Sequence, residues 1–160
     1  MAERKSAGIL LYRRKDGPDG PLEVLLAHPG GPYFAKRDLG DWTIPKGEPD
    51  LDETDLPTVA RREFEEETGT ALDPAAPTIE LGSIVQKGGK VVHAWAVEGE
   101  LDPATAHSNE FEVEWPPRSG TRVLFPEIDR VAWFDLDEAR RRVKPTQVPL
   151  IDRLEAAVRG

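Results

Sequence analysis

Residues 47–69 read GEPDLDETDLPTVARREFEEETG. Thr54 and Asp55 are both N-cap residue types, Pro57 suits a first helical turn, and Gly69 suits a left-handed stop. A helix is expected between them. With Glu63 set at zero and about 100° added per residue, Leu56, Val59, Ala60 and Phe64 fall at about 20°, −40°, 60° and 100°. Those apolar residues mark the core-facing side. On the same scale Glu66 falls at about −60° and Glu67 at about 40°. Glu63, Glu66 and Glu67 therefore lie on or beside the apolar side, while Arg61 and Glu65 point the other way.

A run of glutamates is most simply a solvated face, and this placement argues for more. Carboxylates at i, i+3 and i+4 repel one another. They also occupy the last turns, where the helix dipole favours cations. Semi-buried, they need protonation, basic partners or a metal ion. Arg62 is adjacent, yet one arginine cannot balance three carboxylates. Hard oxygen ligands on one face suit Mg²⁺, with Mn²⁺ as the substitute, and bound Mg²⁺ usually completes its shell with water and substrate phosphates. The helix thus points to phosphate chemistry.

The flanks supply an α/β frame. Ala7–Tyr12 and Leu22–His28 read as strands joined by a turn-rich connector. Trp42-Thr43-Ile44 is a short extended piece, held extended by Pro45. Ile79–Lys87 and Lys90–Gly99 read as a hairpin turning at Gly88-Gly89. Phe111–Trp115 and Val131–Phe134 are expected strands, and Leu136–Val143 and Val148–Val158 expected helices broken at Pro145. A mixed sheet with helices on its faces follows.

The chain has 160 residues, 38% hydrophobic and 32% charged. That length fits one domain over residues 1–160. No apolar run approaches the ~18–20 residues that span a bilayer, so no membrane partner is expected. Met1–Lys5 runs directly into a strand-length apolar stretch without a secretory core, which makes a cytoplasmic location the expectation. With no cysteine, disulfides and thiolate chemistry are excluded. The net charge of −9 argues against a nucleic-acid partner, which would need a basic face.

Arg62-Glu63-Phe64-Glu65-Glu66-Glu67-Thr68-Gly69 resembles the second half of the Nudix box, and Pro45-Lys46-Gly47 resembles its opening. There are two departures. Fourteen residues separate Gly47 from Arg62, where the family has about thirteen, so Glu53 sits one position earlier than the family's first glutamate. Thr70 stands where the family has an apolar residue. A one-residue insertion in the loop before the helix accounts for the first departure.

The resemblance covers nearly the whole chain and implies a Nudix α/β/α sandwich with a mixed sheet. It also implies a MutT-like nucleotide pyrophosphohydrolase. Such an enzyme hydrolyses a nucleoside diphosphate linked to another moiety, with Mg²⁺ (or Mn²⁺) as cofactor. By that likeness Glu63, Glu66, Glu67 and the Gly47 carbonyl would be metal ligands, and Arg62 would orient a glutamate. Glu66 would also take the proton of the attacking water.

Lys46 and Trp42 are candidate substrate contacts, by phosphate pairing and base stacking; a solvated lysine and a core tryptophan are the plainer readings. Glu112 is a further candidate ligand or base, on a strand face it shares with Glu110 and Glu114. Otherwise that face is simply polar. Trp42–Gly47 looks like the box entry of diadenosine-polyphosphate hydrolases, although Val85-Gln86-Lys87 stands where one group of them carries a tyrosine. Residues 114–120 and 125–127 resemble small bacterial Nudix pyrophosphohydrolases. The expected partner is a nucleotide-type small molecule, and a homodimer is compatible with a family member of this size. The competing reading is a non-catalytic Nudix-fold module that binds a nucleotide or a protein.

Overall fold

The computed structural model describes residues 4–159; Met1–Glu3, on which part of the leader reading rests, and Gly160 lie outside them. Eight strands occur among the described residues: β1 (Lys5–Arg14), β2 (Leu22–Pro29), β3 (Lys46–Gly47), β4 (Thr78–Val85), β5 (Val91–Glu98), β6 (Glu110–Glu114), β7 (Arg122–Pro126) and β8 (Ile128–Asp135). Three helices accompany them: α1 (Leu56–Thr68), α2 (Leu136–Arg142) and α3 (Val148–Arg159). The main sheet runs β4-β5-β1-β2-β8, with β3 also paired to β1. Only β1 and β5 run parallel, so the sheet is mixed.

Alternation along β1 sends its apolar residues to two faces. Ala7, Ile9 and Leu11 join Leu25, Ala27, Val131 and the α1 residues Val59, Ala60 and Phe64 in one core. Leu10 joins Val24, Leu26, Val92, Ala94 and Ala96 against Leu136 and Ala139 of α2 and Leu150, Ile151 and Leu154 of α3. This is the expected α/β/α sandwich.

The helix boundaries follow their caps. Asp55 is the N-cap of α1 and Pro57 lies in its first turn, while Gly69 closes it at φ 78° with its N–H on the Glu65 carbonyl. The Asp55 carboxylate accepts from the Thr58 hydroxyl instead of from a backbone N–H. Asp135 caps α2 by accepting the Glu138 N–H at 2.8 Å, and Arg140, Arg141 and Arg142 close its last turn, as the dipole favours.

The sheet forks at β1. β2 pairs with β1 only at Tyr12–Arg14; beyond that the two diverge, and residues 42–47 enter the gap. Thr43 exchanges both backbone hydrogen bonds with Ala27, and the Ile9 N–H reaches the Pro45 carbonyl at 3.1 Å. Gly8 permits the approach: a Cβ there would stand 2.8 Å from the Lys46 Cβ. The fork delivers Lys46 and Gly47 to the face covered by α1.

Two differences from the sequence reading concern the second half. Strand β7 is not signalled by alternation, because its partner β6 is half-exposed and the pair forms a separate two-stranded sheet. β8 begins at Ile128, three residues before the expected Val131, because pairing with β2 continues through a register shift at His28/Pro29.

The wedge is pinned from α3's side by Gln147, which is fully buried just before α3. Its Oε1 accepts the Ile44 N–H at 3.0 Å, and its Nε2 donates to the Thr43 hydroxyl and to Gln86 Oε1, both at 2.9 Å. Gln147→Ala leaves the Ile44 N–H orphaned in the core. It is expected to cost roughly 1–3 kcal/mol in urea unfolding, with the denaturant slope unchanged.

Candidate active site

Arg62 is the hub. Its Nε and Nη2 hold the Glu53 carboxylate in a two-point grip at 2.9 and 2.6 Å. Its Nη1 donates to Glu63 Oε1 at 3.0 Å and to Glu66 Oε1 at 2.9 Å. That grip holds the Glu53 carboxyl below the usual range. Thr54 and Asp55 separate Glu53 from α1, and the Glu53–Arg62 pair forms across them.

The carboxylates nevertheless outnumber the cations. Glu67 is buried, and its Oε2 accepts the Lys46 backbone N–H at 2.9 Å. Burial pushes its pKa up to about 8, against the opposing pull of that N–H and of the Lys46 charge. Glu63 is raised by burial and then by Glu66. Gly47 makes room for it: a Cβ there would stand 2.0 Å from Glu63 Oε2.

A fifth acid joins them, and the sequence reading missed it. Glu127, between β7 and β8, is raised by burial and then by the charge of Glu66. Its N–H donates to the Asn109 carbonyl at 2.9 Å, and the Asn109 N–H donates to the Glu66 carbonyl at 3.0 Å. Its own carbonyl accepts the Gly30 N–H at 2.8 Å. The available signal was one acid set between the apolar Phe125 and Ile128.

Two expectations need correction. Glu112 lies on the β6–β7 hairpin, half-exposed, with its carboxylate 4.0 Å from Arg122 Nε. No contact ties it to the α1 carboxylates, and the second-half acid beside Glu66 is Glu127. Trp42 is 2% exposed. Its Nε1 donates to Asp38 at 2.7 Å, and its ring meets His28 and Phe134 edge-on, leaving no face for a base to stack on. Lys46 does reach the site. Its ammonium is depressed to about 8 by burial and by the neighbouring Lys90 and Lys144.

Among the described residues, no three acidic or histidine side chains already converge on one point at ligand distance. Arg62 Nη1 stands between Glu63 and Glu66 instead. The donor set still fits a hard divalent cation. It is all oxygen, it carries more negative charge than Arg62 neutralises, and a glycine lets the Glu63 carboxylate lie against the Gly47 backbone.

A family comparison matches residues 2–154 to the NUDIX domain. The chain therefore belongs to the NUDIX family, and with its carboxylate helix complete it stands with that family's hydrolases of pyrophosphate bonds. Solved structures of the same fold include a Caenorhabditis elegans Ap4A hydrolase binary complex, with 21% identity, 98% of each chain covered and a TM-score of 0.63. The NUDIX domain of Shewanella oneidensis NrtR complexed with ADP ribose matches at 16% identity, covering 99% of this chain and 90% of that one, with a TM-score of 0.65. A mutT/nudix family protein from Listeria innocua matches at 17% identity, covering 99% and 96%, with a TM-score of 0.62. NrtR has also been solved with a 27mer DNA, and this chain covers 61% of that NrtR chain. No helix among the described residues is long and apolar enough to cross a membrane.

The raised Glu67 pKa has a pH consequence. Unfolded, Glu67 ionises near the ordinary glutamate value of 4.5; folded, it holds its proton to about 8. Between those values the native state binds more protons, so its contribution to stability falls as pH rises. For the metal-free protein, Glu67→Gln is expected to raise the melting temperature at pH 8 and to change it far less at pH 4.5. Equal shifts at both pH values would contradict the burial assignment.

Proposed function

We propose that this chain hydrolyses a nucleoside diphosphate linked to another moiety, in a Mg²⁺-dependent reaction for which Mn²⁺ substitutes. Diadenosine polyphosphates and nucleoside triphosphates are the favoured substrate types. The observation that carries this reading is the surplus of carboxylates, Glu63, Glu66, Glu67 and Glu127, against the single guanidinium of Arg62. Glu63, Glu66, Glu67 and the Gly47 carbonyl are the proposed metal ligands. The bound ion would screen the diphosphate and acidify water.

The chain's own groups have separate tasks. Arg62 fixes the rotamers of Glu63 and Glu66 by charge-assisted hydrogen bonds. Lys46, through its ammonium, supplies positive charge where the diphosphate arrives. Glu66 is the proposed proton acceptor for the attacking water. Glu127, its carboxyl raised by burial and by the Glu66 charge, is a second acid beside it. The diadenosine-polyphosphate preference is supported by the Trp42–Gly47 entry and by the fold shared with the Ap4A hydrolase. A net charge of −9 supports a small-molecule partner instead of a nucleic acid, and a cytoplasmic location accords with the absence of cysteine.

A non-catalytic binding module is the second reading, favoured by one observation: Arg62 already satisfies Glu63 and Glu66 without an ion. Metal titration separates the two. Millimolar Mg²⁺ or Mn²⁺ is expected to raise the melting temperature by linkage, and Glu66→Gln plus Glu67→Gln to abolish that rise.

The direct test incubates the protein with Mg²⁺ and diadenosine polyphosphates, ADP-ribose, nucleotide sugars and dNTPs, with products separated by ion exchange. Turnover of a compound in the panel, reduced about 10²–10⁴-fold in Glu66→Gln, is the expected outcome. No turnover with either ion, together with no thermal shift, supports the module. In the active protein Glu127→Gln is expected to lower kcat and to shift the acidic limb of its pH profile, while Glu112→Gln leaves both unchanged.

A further inference from the structure

A cleft of about 780 Å³ opens between the β4–β5 turn, the loop 37–41 and the α2–α3 link. Arg37, Asp41, Gln86, Lys87, Lys144 and Thr146 are among its lining residues. Asp41 is already paired with Arg37 at 3.2 Å. Among the described residues, Lys87 and Lys144 form no salt bridge, and neither does Lys46. Lys90, which neighbours Lys46 and Lys144, has only a 3.8 Å contact to Glu48. Four of the chain's seven lysines thus gather here, in a protein with 30 acidic residues against 21 basic ones. Like charges left facing one another in such a chain are costly unless an anion joins them.

The cleft is also built. Gln147 Oε1 accepts the Ile44 N–H, so its Nε2 must donate, and Gln86 must answer with its oxygen. That fixes the amide of Gln86 and leaves its NH₂ free as a donor at the cleft. The Lys144 N–H donates to the Trp42 carbonyl at 2.8 Å, anchoring it to the segment that leads into Lys46. The Lys46 backbone N–H on that segment is held by Glu67, and the Glu67 charge acts on Lys144, so the cleft neighbours the carboxylate site. No aromatic side chain lines it.

Resting on the proposed hydrolase reading, we propose that this cleft, through Lys87, Lys144 and the amide of Gln86, binds phosphate groups of the substrate beyond the scissile diphosphate. It is an anion subsite and not a nucleobase pocket. The preferred substrate therefore carries several phosphates on the far side of the cleaved bond. Either a long linear polyphosphate or a polyphosphorylated ring supplies that chemistry.

The test has a binding arm and a kinetic arm. Inorganic tripolyphosphate is titrated calorimetrically into the metal-free wild type, into Lys87→Gln/Lys144→Gln, and into the charge-matched control Lys15→Gln/Arg159→Gln. Affinity is expected to fall about tenfold per cleft lysine removed and to hold in the control. No binding by the wild type, unchanged binding in the cleft variant, or an equal loss in the control overturns the proposal.

In the kinetic arm, kcat/KM is compared on ADP-ribose, diadenosine hexaphosphate and diphosphoinositol pentakisphosphate. A steeper fall in the cleft variant on either phosphate-rich substrate than on ADP-ribose supports the subsite and says which source fills it. The same fall on all three overturns it. If the wild type turns over nothing, the hydrolase reading fails separately, and the titration alone decides the cleft.

Discussion

The Glu67 carboxylate accepting the Lys46 backbone N–H is the contact on which the site depends. It joins α1 to the segment wedged into the fork between β1 and β2, across 21 residues of chain. A carboxylate near the C-terminal end of a helix, shielded from water, runs against both desolvation and the helix dipole. It persists because the apolar residues around it, Phe64 and Ala60 on the helix and Ile9 on β1, hold α1 down on the sheet. Packing thus holds an acidic group where solvation alone would not place it, and burial keeps its proton on to about pH 8.

Arg62 moderates the conflict without resolving it. Its guanidinium spans Glu53, Glu63 and Glu66, so it serves as the structural partner of the first and as the resting counter-charge of the other two. The planar fork makes this possible, because its Nε and Nη2 edge grips Glu53 while Nη1 remains for α1. A residue added to the loop before α1 would leave this two-point contact in place, whereas an insertion within α1 would rotate the carboxylates about its axis.

What the sequence disclosed tracks what local physics controls. The helix with its carboxylate face, its Pro57 and Gly69 limits, and the β4–β5 hairpin follow from period, caps and turn glycines. Glu67 could be placed on the apolar side from periodicity alone. Trp42 was a stacking candidate because its neighbours are loop residues; its burial depends on the fork, which arises from pairing between distant strands. Glu112 drew attention by regular alternation, but that regularity belongs to a two-stranded ribbon outside the main sheet. Glu127 has no period of its own. Its position comes from Asn109 and Glu66, and only the folded chain brings those together. The cleft at Lys144 escaped for the same reason, since its lysines come from three separate stretches.

The β6–β7 ribbon is held by a narrow neck. Ser108 Oγ donates to the Ile128 carbonyl and accepts the Ile128 N–H, and Asn109 receives Glu127 beside it, so residues 110–126 leave and return at nearly one point. Such a segment is insulated from the registers of the main sheet. Its length and composition are free to drift, or to be exchanged for a foreign loop, while Glu127 stays fixed at the neck beside Glu66. The fold thereby leaves the placement of that acid independent of the ribbon's own pairing.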